Sequence, residues 1–361
     1  MTKARDLSQI PNASLAFRNR IINGAMMIDQ RNAGASVTVN GDIYTLDRWK
    51  VFQSAAGRFS VQQNAGSVVP PAGFTNYLGV TSLAATTPTS GQYFLVDQWI
   101  EGFNVADLGW GGSNAQPITL SFWVRSSVTG THSGAIGNHN YGRSYAFVYT
   151  VSSANTWEYK TITIPGDTTG SWLTSNGTGI SLRFAMSIGS GRATATPNVW
   201  NAFGTDGAQA GVNVLAANGN TWYITGVQLE RGSTATSFDY RPYGTELALC
   251  QRYCFVMNNT DSVANRYALG FSNSTTKGYV NTPHPVPMRT KPSLTSTSAS
   301  TFQLSDTSAG TVLTAISIQS VTSDVNKTSF DCTTASGLTA YRPYYLEPYV
   351  GVSSITLSAE L

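Results

Sequence analysis

The chain has 361 residues, of which 41% are hydrophobic and only 11% charged, with a formal net charge of +3. Ordinary apolar content with so little charge excludes disorder, which needs low hydrophobicity and high net charge. The 22 Lys and Arg are scattered without a basic run, which excludes a nucleic-acid surface.

The length suits two domains. Residues 1–24 read as a separate arm. Lys3, Arg5 and Asp6 are followed by no apolar run, so no secretory signal is expected. No window reaches the ~18 apolar residues of a membrane span, so no membrane insertion is expected. Asp6 to Ile10 suits one helical turn ended by Pro11, and the arm is either a frayed tail or a docking peptide for a larger assembly.

From residue 25 to 243 the signals are strands. Ile118, Leu120, Phe122 and Val124 alternate with Thr119, Ser121, Trp123 and Arg125, the period of a half-buried strand. Tyr145, Phe147 and Tyr149 alternate likewise, as do Ile180, Leu182, Phe184 and Met186. Thr161–Ile164 ends at the turn signal Pro165-Gly166, and Gly/Ser/Asn/Thr loops such as 109–114 and 189–198 separate the pieces. Many short strands at this spacing imply a β-sandwich or jelly roll.

Residues 244–254 form a linker with a short helix over Thr245–Tyr253. Thr245 suits the cap, and Glu246 sits near the positive end of the helix dipole. Leu247, Cys250 and Cys254 fall at i, i+3 and i+7. That apolar seam packs either on the chain's own sheets or on copies of itself around a symmetry axis, and one and a half heptads do not establish a coiled coil. Strands return over 255–361, as in Tyr267–Phe271, Thr311–Ile318 and Ser354–Ser358. The expected fold class is all-β: an N-terminal arm, a sandwich or jelly roll, a short linking helix and a second, smaller β-sandwich.

Chemistry-bearing residues are sparse. Cys250, Cys254 and Cys332 make no disulfide framework and are expected as buried thiols. His132, His139 and His284 are dispersed, so neither a zinc site nor any other metal or cofactor is expected. Asp47 beside Arg48 reads as a local ion pair or turn bond. Asp97 and Glu101 flank Trp99, where they bind sugar hydroxyls as readily as they catalyse. No nucleophile elbow or phosphate loop is present, and no enzyme is expected.

The positive signal is aromatic, with 8 Trp and 17 Tyr. Trp110, Trp200 and the His139-Asn-Tyr141 group sit in predicted loops, and Trp123 and Arg125 point away from the apolar face of their strand. These six residues are the candidates for sugar contact, set against the tendency of large aromatics to pack in cores. Trp49, Trp157 and Trp222 read as core.

Asn19–Arg31 (NRIINGAMMIDQR) followed by Tyr44–Trp49 (YTLDRW) resembles the opening of carbohydrate-binding-module-like domains in tailed-phage fibre proteins. Leu120–Arg125 and Asn155–Thr161 fit the same domain, and Ile224–Tyr253 is similar to its closing signature. Thr2–Leu7 resembles a fibre N-terminus, and Pro285–Pro292 and Leu357–Leu361 resemble the C-terminal module of such proteins. The resemblance implies a jelly roll and a virion location after synthesis in the host cytoplasm. It also implies a homotrimer, for which the seam of Leu247, Cys250 and Cys254 would meet its symmetry mates. The function it implies is a tail fibre or receptor-binding subunit, joined to other virion proteins by its arm and attaching to a host polysaccharide or lipopolysaccharide. A non-adhesive adaptor or decoration protein and a polysaccharide depolymerase are the alternatives.

Overall fold

The computed structural model describes residues 17–259, 265–306 and 309–361. Residues 1–16 of the expected arm lie outside them. The chain divides into two compact units, one ending at Tyr243 and including Leu361, the other spanning Gly244–Glu360.

The first unit is a sandwich of two antiparallel sheets. The six-stranded sheet runs in the order Val37–Thr38, Phe59–Gln63, Leu78–Ser82, Thr221–Arg231, Ile118–Ser126 and Glu158–Ile164. The seven-stranded sheet runs Trp200–Asn201, Ser144–Val151, Gly130–Gly137, Thr178–Ile188, Tyr93–Glu101, Lys50–Gln53 and Ile43–Tyr44. Leu120, Phe122 and Val124 of the first sheet meet Phe94, Val96, Phe147 and Phe184 of the second in one core. Phe122 packs edge-on against Phe184 with ring centroids 5.2 Å apart. The period-2 alternation of Ile118–Arg125 thus has its physical cause. Even positions enter the core, while Trp123 and Arg125 are half-buried on the outer face.

The strand Thr221–Arg231 bulges, its register against Ile118–Ser126 shifting between Thr225 and Gln228. Gly226 takes φ 61° there, and Val227 turns fully into the core. Residues 19–24, read in the sequence as the end of the arm, lie in this bulge. Ile21 is fully buried, the Arg20 amide donates to Leu229 O at 2.8 Å, and the Val227 amide donates to Gly24 O at 2.9 Å. Trp49 and Trp222 are core residues as expected. Trp157 instead packs on the outer face of the six-stranded sheet against Tyr77, at 5.6 Å. The Asp47 carboxylate accepts from the Gln30 amide and side chain, both at 2.7 Å, whereas Arg48, at φ 68°, donates to Trp99 O.

In the second unit the helix spans Tyr243–Gln251, starting ahead of Thr245, with Glu246 in its first turn. Cys254 begins the strand Cys254–Asn258, so Leu247, Cys250 and Cys254 do not share one helical face. Cys250 and Cys254 have no exposed surface, which leaves Leu247 as the partly exposed member of the expected seam. Cys254–Asn258 pairs with Ser354–Ser358, which also pairs with Ser293–Ser296. Six further strands close into a barrel instead of the expected second sandwich: Ala268–Ser272, Lys277–Pro283, Lys327–Thr334, Gly310–Ile318, Phe302–Ser305 and Pro343–Pro348. Inward and outward residues alternate in barrels and sandwiches alike, so periodicity does not separate them. Val280, Phe302, Leu304, Phe330, Cys332 and Leu346 fill the interior.

Candidate functional site

The six sugar-contact candidates fall in three places. Trp110 and Trp200 meet Trp172 edge-to-face, with centroids 4.6 Å (Trp110–Trp172), 5.3 Å (Trp110–Trp200) and 5.6 Å (Trp172–Trp200) apart. Each indole N–H donates to a backbone carbonyl: Trp110 to Gln116 O at 2.7 Å, Trp172 to Thr169 O at 3.1 Å and Trp200 to Pro165 O at 2.9 Å. Arg143 braces the same loops through a two-pronged bond to Asp167, at 2.6 and 2.8 Å. Burial pushes the Asp167 carboxyl up, but the bonds from Arg143 and Thr169 outweigh it and hold the group below the usual carboxylate range. This cluster ties loops together and keeps no indole N–H for a ligand.

His139 and Tyr141 lie in the turn after the strand Gly130–Gly137, and Tyr141 reaches the outer face of the seven-stranded sheet. The Tyr141 ring covers the Arg183 guanidinium at 3.9 Å. Arg183 is held by Asp97 at 3.1 Å and by Asp206 at 2.5 Å, and Asp206 also binds Arg192 at 2.6 Å. Asp97, expected to face a sugar, is fully buried in this network. Burial raises its carboxyl to about 7, against the pull of Arg183.

Trp123 lies in a groove. It pairs across the sheet with Tyr159, as Ser121 does with Thr161. The Trp123 and Tyr159 rings are 5.3 Å apart and inclined by 48°, and Tyr159 is 44% exposed. Phe74, Phe238 and Tyr240 form the facing wall, with mutual centroid distances of 4.9 to 5.5 Å. The groove between them measures about 580 Å³ and carries the hydroxyls of Ser121, Thr161, Thr236 and Ser237 but no charged side chain.

Local chemistry explains why this wall stands where it does. The segment after Arg231 folds back over the sheet and is held by two residues of the bulged strand. Glu230 accepts from the Thr236 amide at 2.8 Å and its hydroxyl at 2.7 Å. Gln228 accepts from the Asp239 amide at 2.8 Å and donates to Glu230 at 2.8 Å. The end of the Phe74 ring abuts Gly226, where a Cβ would come within 2.6 Å of it. Arg125 sits farther along the same face, 5.4 Å over the Tyr223 ring, and does not line the groove.

The structure therefore brings Trp123 together with four aromatics that sequence reasoning did not single out: Tyr159, Phe74, Phe238 and Tyr240. Phe238 and Tyr240 belong to the closing signature Ile224–Tyr253, which was a usable signal. Phe74 had none. Among the described residues no three His, Cys, Asp or Glu side chains come together as a metal-ligand set.

No protein-family model and no curated protein sequence matches the chain. Among solved structures it is similar to the enzymatically active domain of bacteriophage CBA120 tailspike protein 4, at 12% identity and a TM-score of 0.32, over 59% of this chain and 21% of that one. The chain thus spans about a fifth of that tailspike structure. It is also similar to TmCBM61 in complex with β-1,4-galactotriose, at 11% identity and a TM-score of 0.31, over 59% of this chain and 99% of that one. The family 11 carbohydrate-binding module from Clostridium thermocellum follows at 13% identity and a TM-score of 0.27, over 55% and 97%. At such identities and TM-scores these likenesses transfer no function.

Proposed function

We propose that this chain is an adhesive subunit of a virion appendage, which holds a neutral host-surface glycan in the groove of Trp123 and Tyr159. The observation that carries the reading is that pair: two adjoining rings on a sheet face, beside four hydroxyls and no charge. A pyranose presents an apolar C–H face, which an aromatic ring covers, and an edge of hydroxyls, which Ser and Thr side chains bind without desolvating a charge. The lining holds no carboxylate, whereas glycosidic cleavage calls for a pair, so the groove binds without cutting. The resemblance of Asn19–Arg31 and Ile224–Tyr253 to phage fibre proteins supports the virion setting and a homotrimer, in which three weak sites would act together by avidity.

Binding to susceptible host cells and to a panel of neutral oligosaccharides, followed by tryptophan fluorescence, tests the site. The Trp123→Ala protein should fold and lose binding; binding equal to wild type would overturn the assignment. Light scattering at micromolar concentration tests the trimer, and a monomer there would refute it.

A further inference from the structure

The second pocket lies on the other sheet, among Asp42, Phe52, Tyr93, Tyr141, Arg183 and Arg192, and measures about 140 Å³. We propose that it is a separate binding site for the oxyanion of an acidic saccharide, a carboxylate or a phosphate monoester.

Two guanidiniums line the pocket, and both are held in place before any ligand arrives. Asp97 and Asp206 bind Arg183 through Nε and Nη1, and Asp206 binds Arg192 through Nε. Among the described residues the Arg183 Nη2 and both terminal nitrogens of Arg192 make no hydrogen bond. The Tyr141 ring lies 3.9 Å from Arg183 and the Tyr93 ring 4.7 Å from Arg192, so the guanidinium faces are covered and their edges remain. Edge-on donation from a fixed fork is the geometry that matches carboxylate and phosphate oxygens. Arg183 is 5% exposed, which places its charge where water screens it little, while Arg192, 40% exposed, stands at the rim.

The carboxylates of Asp206, Asp97 and Asp42 offset the two guanidiniums, so the case for an oxyanion rests on the guanidinium nitrogens left without a bond and not on a net positive charge. Asp42 spends one oxygen on the Gln53 amide at 3.1 Å and leaves the other to accept a sugar hydroxyl. Phe52 supplies an apolar surface for ring carbons. Nothing here depends on the Trp123 groove, which lies on the opposite sheet.

Calorimetric titration of the full chain with a galacturonate oligosaccharide, with glucose 6-phosphate and with an uncharged glucose oligosaccharide tests this. At least one acidic ligand should bind, more weakly as salt rises. Arg192→Gln should weaken that binding about tenfold or more, the worth of one or two charge-assisted hydrogen bonds, with Arg192→Lys between the two. The Trp123→Ala protein should bind it unchanged. Binding of only the uronate or only the phosphate supports the site and identifies which oxyanion it takes. Millimolar titrations in which neither anion binds, equal binding of the neutral sugar, or an Arg192→Gln protein that binds as wild type would each overturn it.

Discussion

The side chain of Asn19 fills the bulge beside Val227. Its Nδ2 donates to Val227 O at 3.0 Å, and its Oδ1 accepts from the Leu229 and Ile21 amides, both at 3.0 Å. Arg241 donates to the carbonyls of Asn19 and Ile21, and the Asn19 amide donates to Asp239 at 3.3 Å. The opening and closing segments of the first unit, more than 200 residues apart in sequence, are therefore one clasp. Asn19→Ala would strip partners from three buried backbone groups. We expect a loss of about 2–4 kcal/mol, since each orphaned group costs about 1–3 kcal/mol before relaxation or water offsets part of it. Chemical denaturation measures it, and a loss under half a kcal/mol would show that the clasp is decorative.

Gly226 joins that clasp to the groove. It sits at φ 61°, and an added Cβ would strike the Phe74 ring. Gly226→Ala should cost about 1–3 kcal/mol and also weaken glycan binding by displacing Phe74. Alanine tolerated with unchanged melting and binding would contradict both expectations.

Trp200 and Trp123 should separate structure from binding. Trp200→Ala empties the three-tryptophan cluster and is expected to destabilise the first unit by about 2–4 kcal/mol, slightly below the cost at a fully buried Trp, while glycan binding survives. Trp123→Ala should do the reverse, with little change in melting and loss of binding. A protein in which Trp200→Ala alone abolished binding would move the site to the loops.

Asp97 gives a pH signature. Its carboxyl is raised from 3.8 to about 7 in the fold. The native state thus binds more protons than the unfolded chain between about pH 4 and 7, so this residue withdraws stability as pH rises through that window and nothing further above it. Asp97→Asn removes the titration. Relative to wild type the variant should gain on the order of 1–3 kcal/mol from pH 4 to pH 7, less than an isolated carboxyl would give, because Arg183 and Asp206 titrate with it. Paired melting curves across that range test it; a gap that is constant or of opposite sign would refute the assignment.

Cys332 is fully buried in the barrel, and burial pushes its thiol up to about 12. It should be inert to thiol reagents at pH 8 until the second unit unfolds, because the thiolate is the reacting form. Rapid labelling in the native state would show that the barrel opens.

The class of fold was legible because side-chain direction in a strand is local. In Ile118–Arg125 the alternation alone sends Phe122 to the core and Trp123 outward, and that is where they are. Partnership was not legible in the same way. Tyr159 lies beside Trp123 only through the register of two strands, and Phe238 reaches the groove only because Gln228 and Glu230 fold its loop back. Trp110 and Trp200 read as displayed loop aromatics because nothing local reveals that the carbonyls of Gln116 and Pro165 await their N–H groups.

By itself the sequence determined the all-β class, the inner and outer faces of the long strands and a helix near residue 245, since each follows from sterics and hydrophobic period over a few residues. Tertiary structure alone decided that the second unit closes as a barrel, that Asn19 locks the bulge at Val227 and that Trp123 gains a facing wall. Those outcomes depend on register and on hydrogen bonds between residues tens to hundreds of positions apart, which local pattern does not encode.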